Sequence, residues 1–333
     1  MTDQYDPFGI NRTQRDMQAV SDRLGLDYQV QGWLPRSLRE TPLIVDTDAG
    51  GDPDDAIALI VAAAEPTLAL VVTSDELGGE RARFVRHLLD LLGRPEVAVV
   101  AGSDLGNTRL NCIEGLAPAE VAHQPTDVLA AVTEVCSSTV DQVRWVGIGP
   151  ASNLAMLLTE RPELAERLAV TQVGGALRYR APERADHNFR VDPGAAAVLL
   201  EKARIPRLQL SEVTFTPEVE IEKDSPLHRL LSDPAGPPWA QLVAAHLDQW
   251  YERFHHGTMQ HDALALTEAL EIAFVDYYRE HVVIDERGRT TVASDGGIEV
   301  LLSGDARLDD YMRWLTAQVE AAVAGHAEPA EPR

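Results

Sequence analysis

Cysteine is almost missing: the 333 residues contain two, Cys112 and Cys136. That rules out a disulfide framework, and neither thiol sits in a C-x-x-C pair. We expect two small buried hydrophobes in a reduced, cytoplasmic setting. Lysine is rarer than its class suggests, occurring only as Lys202 and Lys223, while Asp and Glu total 53. The formal net charge of −24 argues against nucleic acid or an anionic membrane as partner. Its plainest reading is solubility. No stretch approaches the ~20 apolar residues of a membrane span. The opening MTDQYDPFGINRTQRD has no basic segment leading into an apolar run, so no secretory leader is expected. There is no internal repeat.

What is present is ordinary globular composition, 45% hydrophobic and 25% charged. Short β-branched runs alternate with longer amphipathic or Ala-rich ones. Strands are predicted over 43–45, 68–73, 97–100, 143–148, 168–173 and 207–210. Helices are predicted over 56–64, 81–92, 127–138, from 154, over 192–203, 241–254 and 309–323. A strand, turn and strand are predicted over 280–291. Residues 223–240 hold four prolines and read as a break or mobile loop. The rhythm predicts an α/β fold: a single large domain with a mostly parallel, open Rossmann-like central sheet flanked by helices. We expect an N-terminal extension over 1–40, a catalytic domain over 41–324 and a frayed tail over 325–333.

The densest chemistry lies in residues 43–59, LIVDTDAGGDPDDAIAL. Five carboxylates, Asp46, Asp48, Asp52, Asp54 and Asp55, fall within ten positions between the first strand and the first helix. Helix capping explains one or two of them. A hard cation with oxygen ligands explains more. The turns after the strands at 143–148 and 168–173, GPASN and GGA, fall at strand carboxyl ends. They therefore share the face where such folds bind ligands.

Together these segments resemble the nucleoside hydrolases. Asp46-Thr47-Asp48, Gly50 and Asp54-Asp55-Ala56 resemble the family's N-terminal signature. Gly149-Pro150-Ala151-Ser152-Asn153 resembles its G-P-L-T-N turn, and Asp186-His187-Asn188 with Asp192-Pro193 its E-F-N and D-P segment. Glu212-Val213-Thr214 and His261-Asp262-Ala263-Leu264-Ala265 follow in the family's order. The resemblance implies hydrolysis of the N-glycosidic bond of a ribonucleoside or related ribosyl compound, with Ca²⁺ as cofactor and a homodimer or homotetramer. By the same resemblance, Asp48 is a metal ligand and the base that activates water. Asp55, the Ser152 carbonyl and Asp262 complete the ligand set. Asp54, Asp186 and Asn188 bind the sugar, and His261 is the candidate acid for the departing base. Asp46 and Asp52 stand behind the ligands.

Taken singly, Asp262 also reads as a helix cap, and Trp250, Tyr251 and Phe254 as core. The departures fall on recognition. Two extra residues lengthen the aspartate loop. Gly78-Gly79-Glu80-Arg81 lacks the family's asparagine, and residues 178–183 replace its second Gly-Asn pair. Arg178 and Arg180 there suit an anionic substituent or plain solvent. Two other classes stay open: a non-catalytic nucleoside or sugar binder, and a haloacid dehalogenase-type phosphatase. The second is disfavoured because Ala-Gly-Gly follows Asp48 and lysine is so scarce.

Overall fold

The strands are short and saturated with β-branched and aliphatic residues, the pattern of a sheet covered on both sides. Within β1 (Leu43–Thr47), Leu43 and Val45 pack into one core while Ile44 packs into the other. The computed structural model describes residues 38–325. Residues 1–37 of the expected extension and 326–333 of the expected tail lie outside the described residues.

The remaining strands are β2 (Leu68–Thr73), β3 (Ala98–Ala101), β4 (Val143–Gly147), β5 (Leu168–Val173), β6 (Arg207–Gln209), β7 (Glu220–Glu222), β8 (Gly257–Met259), β9 (Val275–Ile284), β10 (Thr290–Val292) and β11 (Ile298–Ala306). Nine of them form one sheet, ordered β10-β9-β11-β6-β5-β4-β1-β2-β3. All pairings from β11 to β3 are parallel, and only β9 and β10 join antiparallel. β7 and β8 make a separate antiparallel pair.

The helices are α1 (Asp54–Ala63), α2 (Glu80–Leu91), α3 (Val128–Ser137), α4 (Ser152–Glu160), α5 (His187–Val191), α6 (Pro193–Lys202), α7 (Ser211–Thr214), α8 (Pro226–Leu231), α9 (Pro238–Arg253), α10 (Asp262–Ala269) and α11 (Leu308–Gly325). One core lies under α1, α2, α9, α10 and α11, and the other under α3, α4 and α6. The single α/β domain with a mostly parallel central sheet matches the expectation.

Two differences have clear physical reasons. Residues 223–240 are not a break. Pro226 and Pro238 each open a helix, where the missing N–H costs nothing, and Ser225 caps α8 through its hydroxyl. The tail hairpin is also larger than expected, because β11 joins the main sheet between β9 and β6.

The order places the site. From β1 the chain runs outward through β2 and β3, then returns to β4 on the other side of β1. The connections leaving β1 and β4 therefore diverge and open a crevice at the strand carboxyl ends. Asp48 follows β1 and Gly149 follows β4 directly into that crevice.

Candidate active site

The aspartate loop is held from outside by its backbone carbonyls. Arg81 Nη1 donates to the Asp48 carbonyl. The Cys112 amide donates to Gly50 at 2.7 Å, and His246 Nε2 lies 3.2 Å from the Gly51 carbonyl. Burial first, and Arg81 second, push the His246 imidazole down to about 3. It is therefore a neutral donor. Gly50 has φ +119°, and a Cβ there would meet Ile113 Cδ1 at 2.7 Å. Gly149 lets the second turn close onto the first: its Cβ would stand 2.9 Å from both the amide nitrogen and Oδ1 of Asp48.

These constraints turn the carboxylates inward. The Asp54, Asp55 and Asp262 ligand oxygens lie within 4.8 Å of one another, and all three residues are buried. Asp48 lines the same pocket. Asp262 does not cap α10: His261 holds the cap position and no side-chain cap bond forms. Asp54 and Asp55 likewise open α1 without capping it. Asp54 and Asp262 share a hydrogen bond, and Thr47 donates to Asp55.

Burial is the largest cause raising the pKa of Asp54, Asp55 and Asp262, and repulsion among neighbouring aspartates adds to it. Asp48 is raised by burial too, but Arg81 opposes the shift. Three buried acids crowded beside the half-buried Asp48 demand either protons or a cation. Their donor set is all oxygen, which fits a hard divalent ion such as Ca²⁺ or Mg²⁺.

The other expected residues separate into those at the pocket and those behind it. Asp186 and Asn188 line it. Asp186 accepts from the Gly175 and Phe189 amides at 2.8 and 3.3 Å, and burial lifts its carboxyl to about 6. Asn188 Nδ2 donates to the ends of β4 and β5, to Ile148 and Val173, both at 3.0 Å. With both amide hydrogens used, its Oδ1 is left for a ligand.

His261 lines the pocket with Nδ1 against the Thr214 hydroxyl, and burial pushes its imidazole down to about 4. Ser152 opens α4 outside the pocket lining, its hydroxyl 2.6 Å from Asp192 Oδ2. Asp46 lies beneath the loop, where Asn153 Nδ2 reaches its Oδ1 at 2.8 Å. Asp52 is closer to the chemistry than expected. It lines the pocket, accepts from Thr258, and is raised to about 7 chiefly by burial.

Arg81, Asn153 and Glu220 carry roles that the sequence does not indicate. Arg81 is 1% exposed and lines the pocket. Its Nε donates to the Asp75 carbonyl at 2.7 Å, and Nη2 lies 3.7 Å from the Asp75 carboxylate. It is the countercharge built beneath the aspartates. Asn153 ties three strand ends together, reaching Asp46, the Thr73 carbonyl and Ser103. Trp250 lines the pocket instead of serving core packing alone. Glu220 and His255 line the mouth, and His256 stands 3.7 Å from the same carboxylate. The enclosed volume is ≈ 400 Å³, the size of a small-molecule site.

A family model described as inosine-uridine preferring nucleoside hydrolase matches residues 43–321. The chain belongs to that family. As a nucleoside hydrolase it is a hydrolase acting on N-glycosyl compounds, and the phosphatase alternative falls away. The pyrimidine-specific ribonucleoside hydrolase RihA of Enterobacter sp. (strain 638) is 27% identical over 278 residues, covering 75% of this chain and 85% of that protein. RihA of Salmonella newport (strain SL254) is also 27% identical, covering 75% and 86%. The purine-preferring ribonucleoside hydrolase from Gardnerella vaginalis superposes with a TM-score of 0.69 at 21% identity, covering 85% of this chain and 99% of that one. At that identity the superposition speaks for the fold. Identities this low fit a divergent member of the family.

Proposed function

We propose that this nucleoside hydrolase cleaves the N-glycosidic bond of a ribonucleoside or close ribosyl relative in a Ca²⁺-dependent reaction, with Asp48 activating water. The observation that carries the proposal is the convergence of buried Asp54, Asp55 and Asp262 beside Asp48. Asp48, Asp55, Asp262 and the Ser152 carbonyl would hold the ion. When bound, such an ion supplies positive charge that orients sugar hydroxyls and makes a nearby water easier to deprotonate.

The chain's own residues do the rest. Asp48 takes the water's proton, its backbone fixed by Arg81 so that the carboxylate keeps its aim. Bond breaking builds positive charge on the sugar, and the buried carboxylates stabilise it. Asp54 and Asp186 accept from sugar hydroxyls, as does Asn188 through Oδ1. His261, its ring held by Thr214, meets the departing base. Asp46, held by Asn153, and Asp52, held by Thr258, stand behind the ligand carboxylates. The catalytic domain is assigned to 41–324, in a cytoplasmic homodimer or homotetramer. Relatives differ in base preference, RihA being pyrimidine-specific and the Gardnerella vaginalis enzyme purine-preferring.

The test is release of free base and sugar from a panel of ribonucleosides, read by liquid chromatography, with and without a chelator. We expect release that chelation abolishes and added Ca²⁺ restores. Release that persists unchanged in excess chelator would overturn the metal role. No release from any of the panel, with the ion bound, would overturn the substrate class.

A further inference from the structure

The acidic pocket has one cationic corner. Tyr179 and Arg180 come from the loop between Gly175 and Asp186, and Phe215 from the end of α7. All three line the pocket. The Arg180 guanidinium carbon lies over the Phe215 ring, 4.0 Å from its centroid, and 4.8 Å from that of Tyr179. Phe215 is 43% exposed, one of few large apolar side chains left in solvent among the described residues.

Seven carboxylates line the same pocket, yet Arg180 forms no ion pair with any carboxylate among the described residues. The other arginine at the pocket, Arg81, is fully engaged by the Asp48, Asp75 and Leu110 carbonyls. An arginine resting on an exposed ring gains little from that contact, so the stacking alone does not explain its place. What the stacking does is hold the guanidinium at the mouth with its in-plane N–H donors unspent. A pocket this negative repels an anion everywhere except beside such a group.

Resting on the hydrolase reading above, we propose that Arg180, on its Tyr179–Phe215 platform, binds an anionic substituent of the substrate. The preferred substrate is then a ribonucleoside that carries a carboxylate or a phosphate, not a neutral one. Guanidinium pairs with both groups through the same forked geometry, so either fits.

Three probes separate the sources: uridine, uridine 5′-monophosphate, and orotidine, whose base bears a carboxylate. Each is assayed for kcat/KM with Ca²⁺ present, and for equilibrium binding by calorimetry where no turnover is seen. At least one anionic probe is expected to exceed uridine by roughly 10- to 100-fold, the span of a charge-assisted hydrogen bond. Arg180→Gln should bring that ratio to within about twofold of one. Which anion wins identifies the source. Uridine equal to or better than both, or a preference that survives Arg180→Gln, overturns the proposal. Arg180-dependent binding without turnover would uphold the anion site while sinking the hydrolysis of these substrates, so the two readings fail separately.

Discussion

Asp48→Asn is expected to lower kcat for nucleoside hydrolysis by about 10²- to 10⁴-fold, the range for loss of a positioned general base. Asparagine has the same shape, so the turn should survive. The backbone there is fixed by groups that do not depend on the carboxylate: Arg81 donates to the residue 48 carbonyl, and Gly149 packs against the residue 48 amide. What changes is the capacity to take a proton. Arg81 also favours the ionised form of Asp48, and more weakly that of Asp55, over that of Asp54. Its guanidinium opposes the rise that burial imposes, whereas the charges around Asp54, those of Asp52, Asp55 and Asp48, only add to that rise. The measurement is kcat at saturating nucleoside and Ca²⁺, with circular dichroism to confirm the fold. Saturating ion matters, because Asp48 is also placed to hold it. Turnover within about threefold of wild type would remove Asp48 from the base role.

Much of this site was readable from the chain because each piece sits in a local pattern. A β-branched strand, an acidic Gly-Pro turn and an Ala-rich helix announce the loop from Asp46 to Asp55. The alternation of strands and helices implies that turns far apart in sequence meet on one face, and they do. What could not be read depends on contacts between segments. Arg81 looks like one more cation on an amphipathic helix that also carries Arg83 and Arg86. Only the folded loops from Asp75 and Leu110 show it buried. The signal that could have singled it out is charge balance: five aspartates in ten positions need a nearby cation, and Arg81 stands where the family's asparagine is missing.

Prolines misled in the same way. Their clustering over 223–240 suggests a break, yet Pro226 and Pro238 stand at helix starts, which spacing alone does not distinguish. β11 escaped notice because its sequence, IEVLLSGDA, mixes apolar and polar residues without clean alternation. Only its pairing with β6 and β9 makes it a strand. Asp52 was legible as an extra carboxylate but not in its role, since Thr258, which holds it, is 206 residues away.

The carboxylate crowding also makes a thermodynamic claim that does not involve catalysis. In the metal-free protein, the aspartates should make thermal stability fall as pH rises from 5 to 8; the buried neutral His246 and His261 oppose this only up to their unfolded pKa of ~6.5, so the net fall is read from pH 6.5 to 8. Asp52 is lifted to about 7 and Asp186 to about 6, while Asp54, Asp55 and Asp262 are raised well above the ordinary aspartate value. An unfolded aspartate ionises near pH ~3.9. Between that value and the folded one, the folded chain holds a proton that the unfolded chain has released. Stability is therefore lost on going up through this window, not on going down.

A divalent ion bound among the ionised groups stabilises the folded state in proportion to its affinity. That affinity is greatest at high pH, where no proton has to be displaced. Added Ca²⁺ should thus raise Tm by on the order of 5 °C or more at pH 8 and by clearly less at pH 5. Calorimetry in chelator and in millimolar Ca²⁺ across this range checks it. Asp186 accepts from backbone amides apart from the cluster, so part of the slope should remain with the ion bound. Asp186→Asn should remove that remainder and leave the Ca²⁺ effect in place. A Tm in chelator that is flat or rises from pH 6.5 to 8, with an equal Ca²⁺ shift at pH 5 and pH 8, would mean the aspartates do not hold the ion.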